Sequence, residues 1–287
     1  MTARRLDGKE LAASLRAQAV DAVAAAAAAG ITVRLAIVIA TRDESAAWYL
    51  RALTGAAARA GIECEVADLG ADAAPGQIEA ELTRLSEDQS VHGIILQTPV
   101  PAGASATDLA QAIDPAKDVD GANAVSLGRL SAGLAAFAPA TAEAVVRLLD
   151  FHGVELRGRR SVVVGRSAVV GKPVAQLLLA RDATVTICHS RTPDLASVTS
   201  EAEVLVAAAG RPGLITAEHV RPGAVVIDVG TSAAGDGGLL GDVGAAVSEV
   251  AGALSPVPGG VGPVTTAQLL LATTLAAVGG PAASSLG

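Results

Sequence analysis

Short apolar runs alternate with longer amphipathic stretches along most of the chain. The runs at 33–40, 63–67, 91–97, 184–188, 204–209 and 224–229, with the Val162-Val-Val164 run, are bounded by polar residues, Gly or Pro, which predicts buried strands. Between them, residues 8–29, 45–60, 75–87, 105–113, 141–152, 174–179 and 265–278 predict helices. Gly30 stops the first helix after the Ala run 24–29, Gly61 stops the second, and Pro75 opens the third. Such alternation implies parallel sheets in an α/β fold. Ligands on parallel sheets gather beyond the carboxyl ends of the strands, which assembles the turn 41–45, Gln97 and the loop 114–121. Segment 255–263 is too rich in Pro and Gly to be regular, and residues 279–287 read as frayed.

The junction at 160–179 carries a phosphate loop. Gly165 lets the chain turn at the end of a Val strand, Ser167 offers a hydroxyl and an amide, and Gly171 lets a helix start close to the sheet. Pro173 falls in the first helical turn, so free amides and the positive helix end face the loop. The glycine pattern departs from the dinucleotide fingerprint at Ser167 and Val170. The next strand ends in His189-Ser190-Arg191, where an NAD site carries a carboxylate for the ribose diol. Ser190 and Arg191, with Arg166, suit a phosphorylated ribose instead, so the predicted cofactor is NADP. With the strands 184–188, 204–209 and 224–229 this makes a four-strand nucleotide-binding half.

The chain has 287 residues, enough for two domains each with its own core. Its net charge of -8 argues against a nucleic-acid partner. No stretch of some 18 apolar residues lacks a charge or a Gly/Pro break, and the start has no apolar signal core, so no membrane partner and a cytoplasmic location are expected. Two cysteines make no disulfide framework, and the four histidines lack metal-ligand spacing. Only four aromatic residues, Trp48, Tyr49, Phe137 and Phe151, are available to face a flat ligand.

Read together, Gln97-Thr-Pro-Val-Pro101, Lys117-Asp-Val-Asp-Gly121, Gly165-Arg-Ser167 with Val170-Gly-Lys-Pro173, Asp228-Val-Gly230 and Pro256-Val-Pro-Gly-Gly-Val-Gly-Pro263 resemble, in order and spacing, the methylenetetrahydrofolate dehydrogenase/cyclohydrolase family, often called FolD. The resemblance spans nearly the whole chain. It implies two domains flanking a cleft: a folate-binding, catalytic domain of residues 1–140 plus 264–287, and a Rossmann-like NADP-binding domain of residues 141–263. It also implies tetrahydrofolate derivatives as substrates and a homodimer joined through the nucleotide-binding domains. Tyr49 matches the Tyr that lies against the aminobenzoyl ring, Gln97 the Gln that partners a catalytic Lys, and Asp120 the acid that hydrogen-bonds the pterin. Pro258, Gly259 and Gly260 stand with Tyr49 and Asp120 as substrate contacts, and Thr231 with the 165–167 and 190–191 residues as a cofactor contact.

The Lys expected four residues after Tyr49 is Leu53. The family's Asp-Gly-Phe-His-Pro appears as Asp120-Gly-Ala-Asn-Ala124, and its Pro-Cys-Thr-Pro as Pro139-Ala-Thr-Ala142, so the folate side departs where the nucleotide side does not. Hydride transfer from the one-carbon bridge needs positioning more than proton transfer. Hydrolysis of the methenyl cation needs an acid-base group, and Leu53 has none. The expected activity is therefore a dehydrogenase with weak or absent cyclohydrolase. The alternatives are a bifunctional enzyme using another base, a non-catalytic folate- or nucleotide-binding paralogue, and an unrelated NADP-dependent reductase. Each residue also has an ordinary structural reading: Tyr49 as a helix staple, Gln97 as a strand cap, Asp120 as an Asx-turn residue, Lys117 as a solvated charge.

Overall fold

The structure is a computed structural model that describes residues 2–233 and 238–280. The expected fraying of residues 281–287 lies outside the described residues. The described residues divide into two compact units: those up to Ala12 with Thr141–Thr265, and Ala13–Ala140 with residues 266–280.

The second of these units is built from α1 (Lys9–Ala28), β2 (Arg34–Ile39), α2 (Glu44–Ala60), β3 (Glu63–Asp68), α3 (Pro75–Glu87) and β4 (Gly93–Leu96), β1 (Arg4–Arg5) belonging to the other unit. Its sheet is parallel with order β3-β2-β4, so β2 is central and buried along most of its length. One face packs Ala36, Val38 and Ile94 against Ile78, Leu82 and Leu85 of α3. The strand expected to start at 91 is shorter, because the Val91 amide bonds the Asp88 carbonyl in the preceding turn. The helix expected at 105–113 is one short α-turn, α4 (Ala106–Leu109), continued as a 3₁₀ turn. A helix absent from the sequence expectation, α5 (Ala124–Ser131), follows; Asn123 caps it by accepting the Val125 amide.

The other unit begins with α6 (Ala140–Phe151) and holds β5 (Arg160–Val164), α7 (Gly171–Leu179), β6 (Thr184–Cys188), α8 (Leu195–Thr199), β7 (Val204–Ala207) and β8 (Val225–Asp228). After them come a short hairpin, β9 (Ser232–Ala233) and β10 (Leu239–Leu240), then β11 (Ala253–Leu254) and the start of α9 (Val261–Ala277), whose residues from Thr266 on belong to the first-described unit. The expected four strands are present, but the sheet has six, in the parallel order β1-β11-β8-β7-β5-β6. The two extra strands are two residues each, too short for a hydrophobic period to register. Val162, Val164, Leu205, Ala207 and Val226 form the centre of this unit's core. The last helix starts at Val261, inside the segment expected to be irregular. Pro263 sits in its first turn, where the missing N–H has no helical partner to lose.

Candidate active site

The acidic loop 117–121 shows how few letters of a motif remain for a ligand. Lys117 is not a solvated charge: its Nζ donates to the carbonyls of Ser86 at 2.6 Å and Asp88 at 2.7 Å, and to Leu85 at 3.4 Å. It therefore closes the carboxyl end of α3, where a cation is favoured. Asp118 is fully buried and accepts from the amides of Ala122 and Asn123 and from the Ser126 hydroxyl at 2.7 Å. The Asx role proposed for Asp120 thus falls to Asp118. Val119 is a core residue. Gly121 has φ +61°, and a Cβ there would come within 2.5 Å of the Pro139 nitrogen.

Asp120 is what remains. Burial, reinforced by the negative charge of Asp118, pushes its carboxyl up to about 7, with the Ala140 amide opposing. Tyr49, in the first half of α2, lies close enough that Asp120 adds to the effect of burial in holding the Tyr49 phenol above its usual range. Tyr49 and Asp120 are therefore within electrostatic reach of one another. Gln97 stands just past β4, its amide bonded to Val38 O at 2.8 Å and its side-chain Nε2 to Thr98 O at 3.0 Å.

Leu53 is 0% exposed, among the largest fully buried side chains. It follows Tyr49 by four residues, so both share one side of α2, with Leu53 turned inward beside Ala56 and Ala57. Nothing at this position can move a proton.

In the other unit, the predicted cofactor residues cluster at the carboxyl ends of neighbouring strands. A Cβ at Gly165, where φ is +135°, would overlap the Ala208 carbonyl oxygen, and one at Gly171 would overlap Gly165 O. Glycine at both positions lets the strand end, the loop and α7 close on one another. Ser167 Oγ accepts the Gly171 amide at 3.2 Å. The amides of residues 166–170 find no partner among the described residues, so five backbone donors stand at the positive end of α7. Free amides at a helix N-terminus suit an anion such as a phosphate. Gly165 N bonds Cys188 O, which sets the loop beside the end of β6 and its Ser190 and Arg191. Both are exposed, as is Arg166, and the Arg166 and Arg191 guanidiniums have no partner among the described residues. Donors without partners around an amide cradle fit a phosphorylated dinucleotide.

Thr231 is exposed beyond β8. Asp228-Val-Gly230 is structural: Asp228 is 4% exposed and accepts the amides of Gly230, Asp242 and Val243. Asp242, which sequence reasoning missed, is fully buried and accepts the amides of Ala209, Gly210 and Arg211 at 2.6–2.9 Å. A single Asp between Gly241 and Val243 carries no signal of such a role. Of the Pro258-Gly259-Gly260 candidates, Pro258 is exposed, while Gly260 is buried and its amide bonds Pro256 O at 2.8 Å. Gly259 O accepts the Gly8 amide at 2.8 Å, so the N-terminal segment braces this loop.

Known proteins resemble the chain along most of its length. Residues 6–120 match the model of the tetrahydrofolate dehydrogenase/cyclohydrolase catalytic domain, and residues 139–279 that of the family's NAD(P)-binding domain. The chain is 61% identical over 268 residues to the bifunctional protein FolD 1 of Saccharopolyspora erythraea, covering 93% of this chain and 92% of that one. It is similar to the crystal structure of the bifunctional FolD enzyme of Campylobacter jejuni, with TM-score 0.91 and 34% identity over 95% of this chain and 98% of that one. It is also similar to the Trypanosoma brucei methylenetetrahydrofolate dehydrogenase-cyclohydrolase complexed with NADP and an inhibitor, with TM-score 0.89 and 36% identity over 96% and 97% of the two chains.

Proposed function

The chain belongs to the tetrahydrofolate dehydrogenase/cyclohydrolase family, and from that premise we propose that it oxidises methylenetetrahydrofolate to methenyltetrahydrofolate with NADP, while hydrolysing the methenyl product weakly or not at all. The observation that carries this reading is the complete burial of Leu53, four residues after Tyr49, where the family resemblance implies a catalytic Lys.

In this reading the folate side is the unit of residues 13–140 with 266–280, and the nucleotide side is residues 141–265 with the first twelve residues of the chain. Bound NADP supplies the hydride acceptor. The cradle of residues 165–171 holds its phosphates, and Arg166, Ser190 and Arg191 take the ribose phosphate. Asp120 accepts the pterin N–H groups, and the Tyr49 ring faces the aminobenzoyl group. Positioning provides the rate, because loss of hydride leaves a cation delocalised over two nitrogens and no proton has to move.

Hydrolysis asks for a base towards water and an acid towards a ring nitrogen. Leu53 is neither, and the Lys117 ammonium is committed to three carbonyls. A second reading, full bifunctionality through another base, is favoured by the relatives named bifunctional. A non-catalytic paralogue is disfavoured by the open amide cradle. The expected homodimer draws support from β6, an edge strand of the six-stranded sheet with Ile187 40% exposed and, on the preceding helix, Leu179 63% exposed. A cytoplasmic location fits a folate enzyme. The test is purified protein with methylenetetrahydrofolate and either NADP or NAD. Rapid methenyl formation with NADP supports the proposal, and no formation with either cofactor overturns it.

A further inference from the structure

Asp242 belongs to no motif that the sequence announces, yet it is a fully buried carboxylate in the unit that holds β5 to β8. Taking such a group out of water is costly unless hydrogen bonds replace its hydration. Here one oxygen accepts the amides of Ala209 at 2.6 Å and Gly210 at 2.9 Å, and the other accepts that of Arg211 at 2.7 Å. Three successive amides of the turn that leaves β7 therefore converge on one side chain. Asp242 is held in its turn by Asp228 at the end of β8, which accepts the amides of Asp242 at 2.9 Å and Val243 at 3.0 Å. The Asp242 carbonyl accepts the Ile215 amide at 2.9 Å, so backbone and side chain are both tied. A Cβ at Gly230 would come within 2.6 Å of Asp242 Oδ1, and glycine there leaves room for the carboxylate.

The turn held in this way abuts the loop 165–171. The Ala208 amide bonds Val164 O, the last residue of β5, at 2.8 Å, and the Ala208 carbonyl fills the space that a Cβ at Gly165 would need. Asp242 is 0% exposed, so its effect on a ligand runs through the turn. Resting on the reading that residues 165–171 hold the cofactor's phosphates, we propose that Asp242 is a positioning residue for NADP. It fixes the 209–211 turn, the turn fixes Ala208 against Gly165, and the free amides after Gly165 are thereby kept where the phosphates meet them. A role in folding alone would lower stability and leave the affinity of the folded protein intact.

The experiment measures the NADP Kd by calorimetry for the native protein, Asp242→Ala, Asp242→Asn and Val220→Ala, at a temperature where circular dichroism shows each to be folded. Val220 is a core residue of the same unit, so Val220→Ala lowers the urea midpoint without touching the turn. Asp242→Ala is expected to raise the NADP Kd about tenfold, within the loss of about 10²-fold that a misplacement of about 1 Å can cause. Asp242→Asn keeps one accepting oxygen and should recover part of this, with a rise of about threefold, while Val220→Ala stays within about twofold. Hydrogen exchange of the Ala209, Gly210 and Arg211 amides should be slow in the native protein and fast in Asp242→Ala, as loss of their shared acceptor requires. A Kd in Asp242→Ala within twofold of native, or an equal rise in Val220→Ala, overturns the proposal. Where Asp242→Ala does not fold, Asp242→Asn decides in the same way, an unchanged Kd counting against it. A native protein that binds no NADP overturns the cofactor reading and the proposal together, whereas equal binding by native and variant overturns the proposal alone.

Discussion

The loops 165–171 and 117–121 both look, as strings of letters, like dense functional motifs, yet the structure uses them in opposite ways. In the first, side chains are nearly absent from the work: Gly165 and Gly171 keep backbone apart from backbone, and the product is a set of free amides. In the second, almost every side chain is spent on the fold. Lys117 closes α3, Asp118 gathers two amides and a hydroxyl, and Val119 fills the core, leaving Asp120 alone beside Tyr49. A backbone-built site tolerates almost no change at its glycines but much at its surface. A side-chain-built site is open to a change of chemistry by one substitution, which is the proposal made for Leu53.

The sharpest break of this contrast is at Gly165. Because a Cβ there overlaps the Ala208 carbonyl, Gly165→Val is expected to destabilise the protein by about 3 kcal/mol or more and to abolish NADP binding, read by urea denaturation and calorimetry. Next in size, Arg166→Ala and Arg191→Ala should each weaken NADP by about 1.5–3 kcal/mol and leave NAD nearly unchanged, as expected for hydrogen bonds to a charged phosphate. Equal losses for the two cofactors in a binding titration contradict the ribose-phosphate assignment.

Smaller, but more informative about the folate side, is Leu53→Lys. A Lys placed where Leu53 is wholly buried must shed water, so it should cost stability while keeping a lowered pKa suited to proton transfer. Methenyl hydrolysis should rise at least about tenfold, towards the lower end of the range of about 10²–10⁴ for a placed acid-base group. A full gain is not expected, because Ala122 and Asn123 are tied to Asp118 and Asn123 also caps α5, so neither supports the new amine.

The smallest effect is electrostatic. The native Asp120 carboxyl is raised from 3.8 to about 7, so between those values the folded chain holds a proton that the unfolded chain has lost. Stability contributed by Asp120 is therefore complete below about pH 4 and is lost as pH rises towards 7. Asp120→Asn should flatten this part of the pH profile. Asp118 and Asp228 are raised in the same sense and are common to both proteins, so the difference in urea midpoint between native and variant isolates Asp120.

The sequence made the alternation of strands and helices legible because buried parallel strands and amphipathic helices have distinct periods. What it hid were elements held by few residues or by polar bonds. β1 and β11 are too short to show a period, and α5 is announced only by the cap at Asn123. The crowded turn at Gly165 and Gly171 was visible because glycine marks backbone crowding. The separate duties of Lys117, Asp118 and Asp120 were not, since a charged residue in a loop looks the same whether it faces water, a helix end or a ligand. Position 53 was legible as a departure from a pattern, but its complete burial was not.

One measurement tests the central claim most directly: a progress curve with methylenetetrahydrofolate and NADP in which methenyl absorbance is resolved from NADPH absorbance. With Leu53 in place, methenyltetrahydrofolate should accumulate mole for mole with NADPH and then decay at the rate of the buffer alone, whatever the enzyme concentration. Decay that scales with enzyme and keeps pace with formation would contradict the account, because a proton-transfer group would then be at work without the Lys.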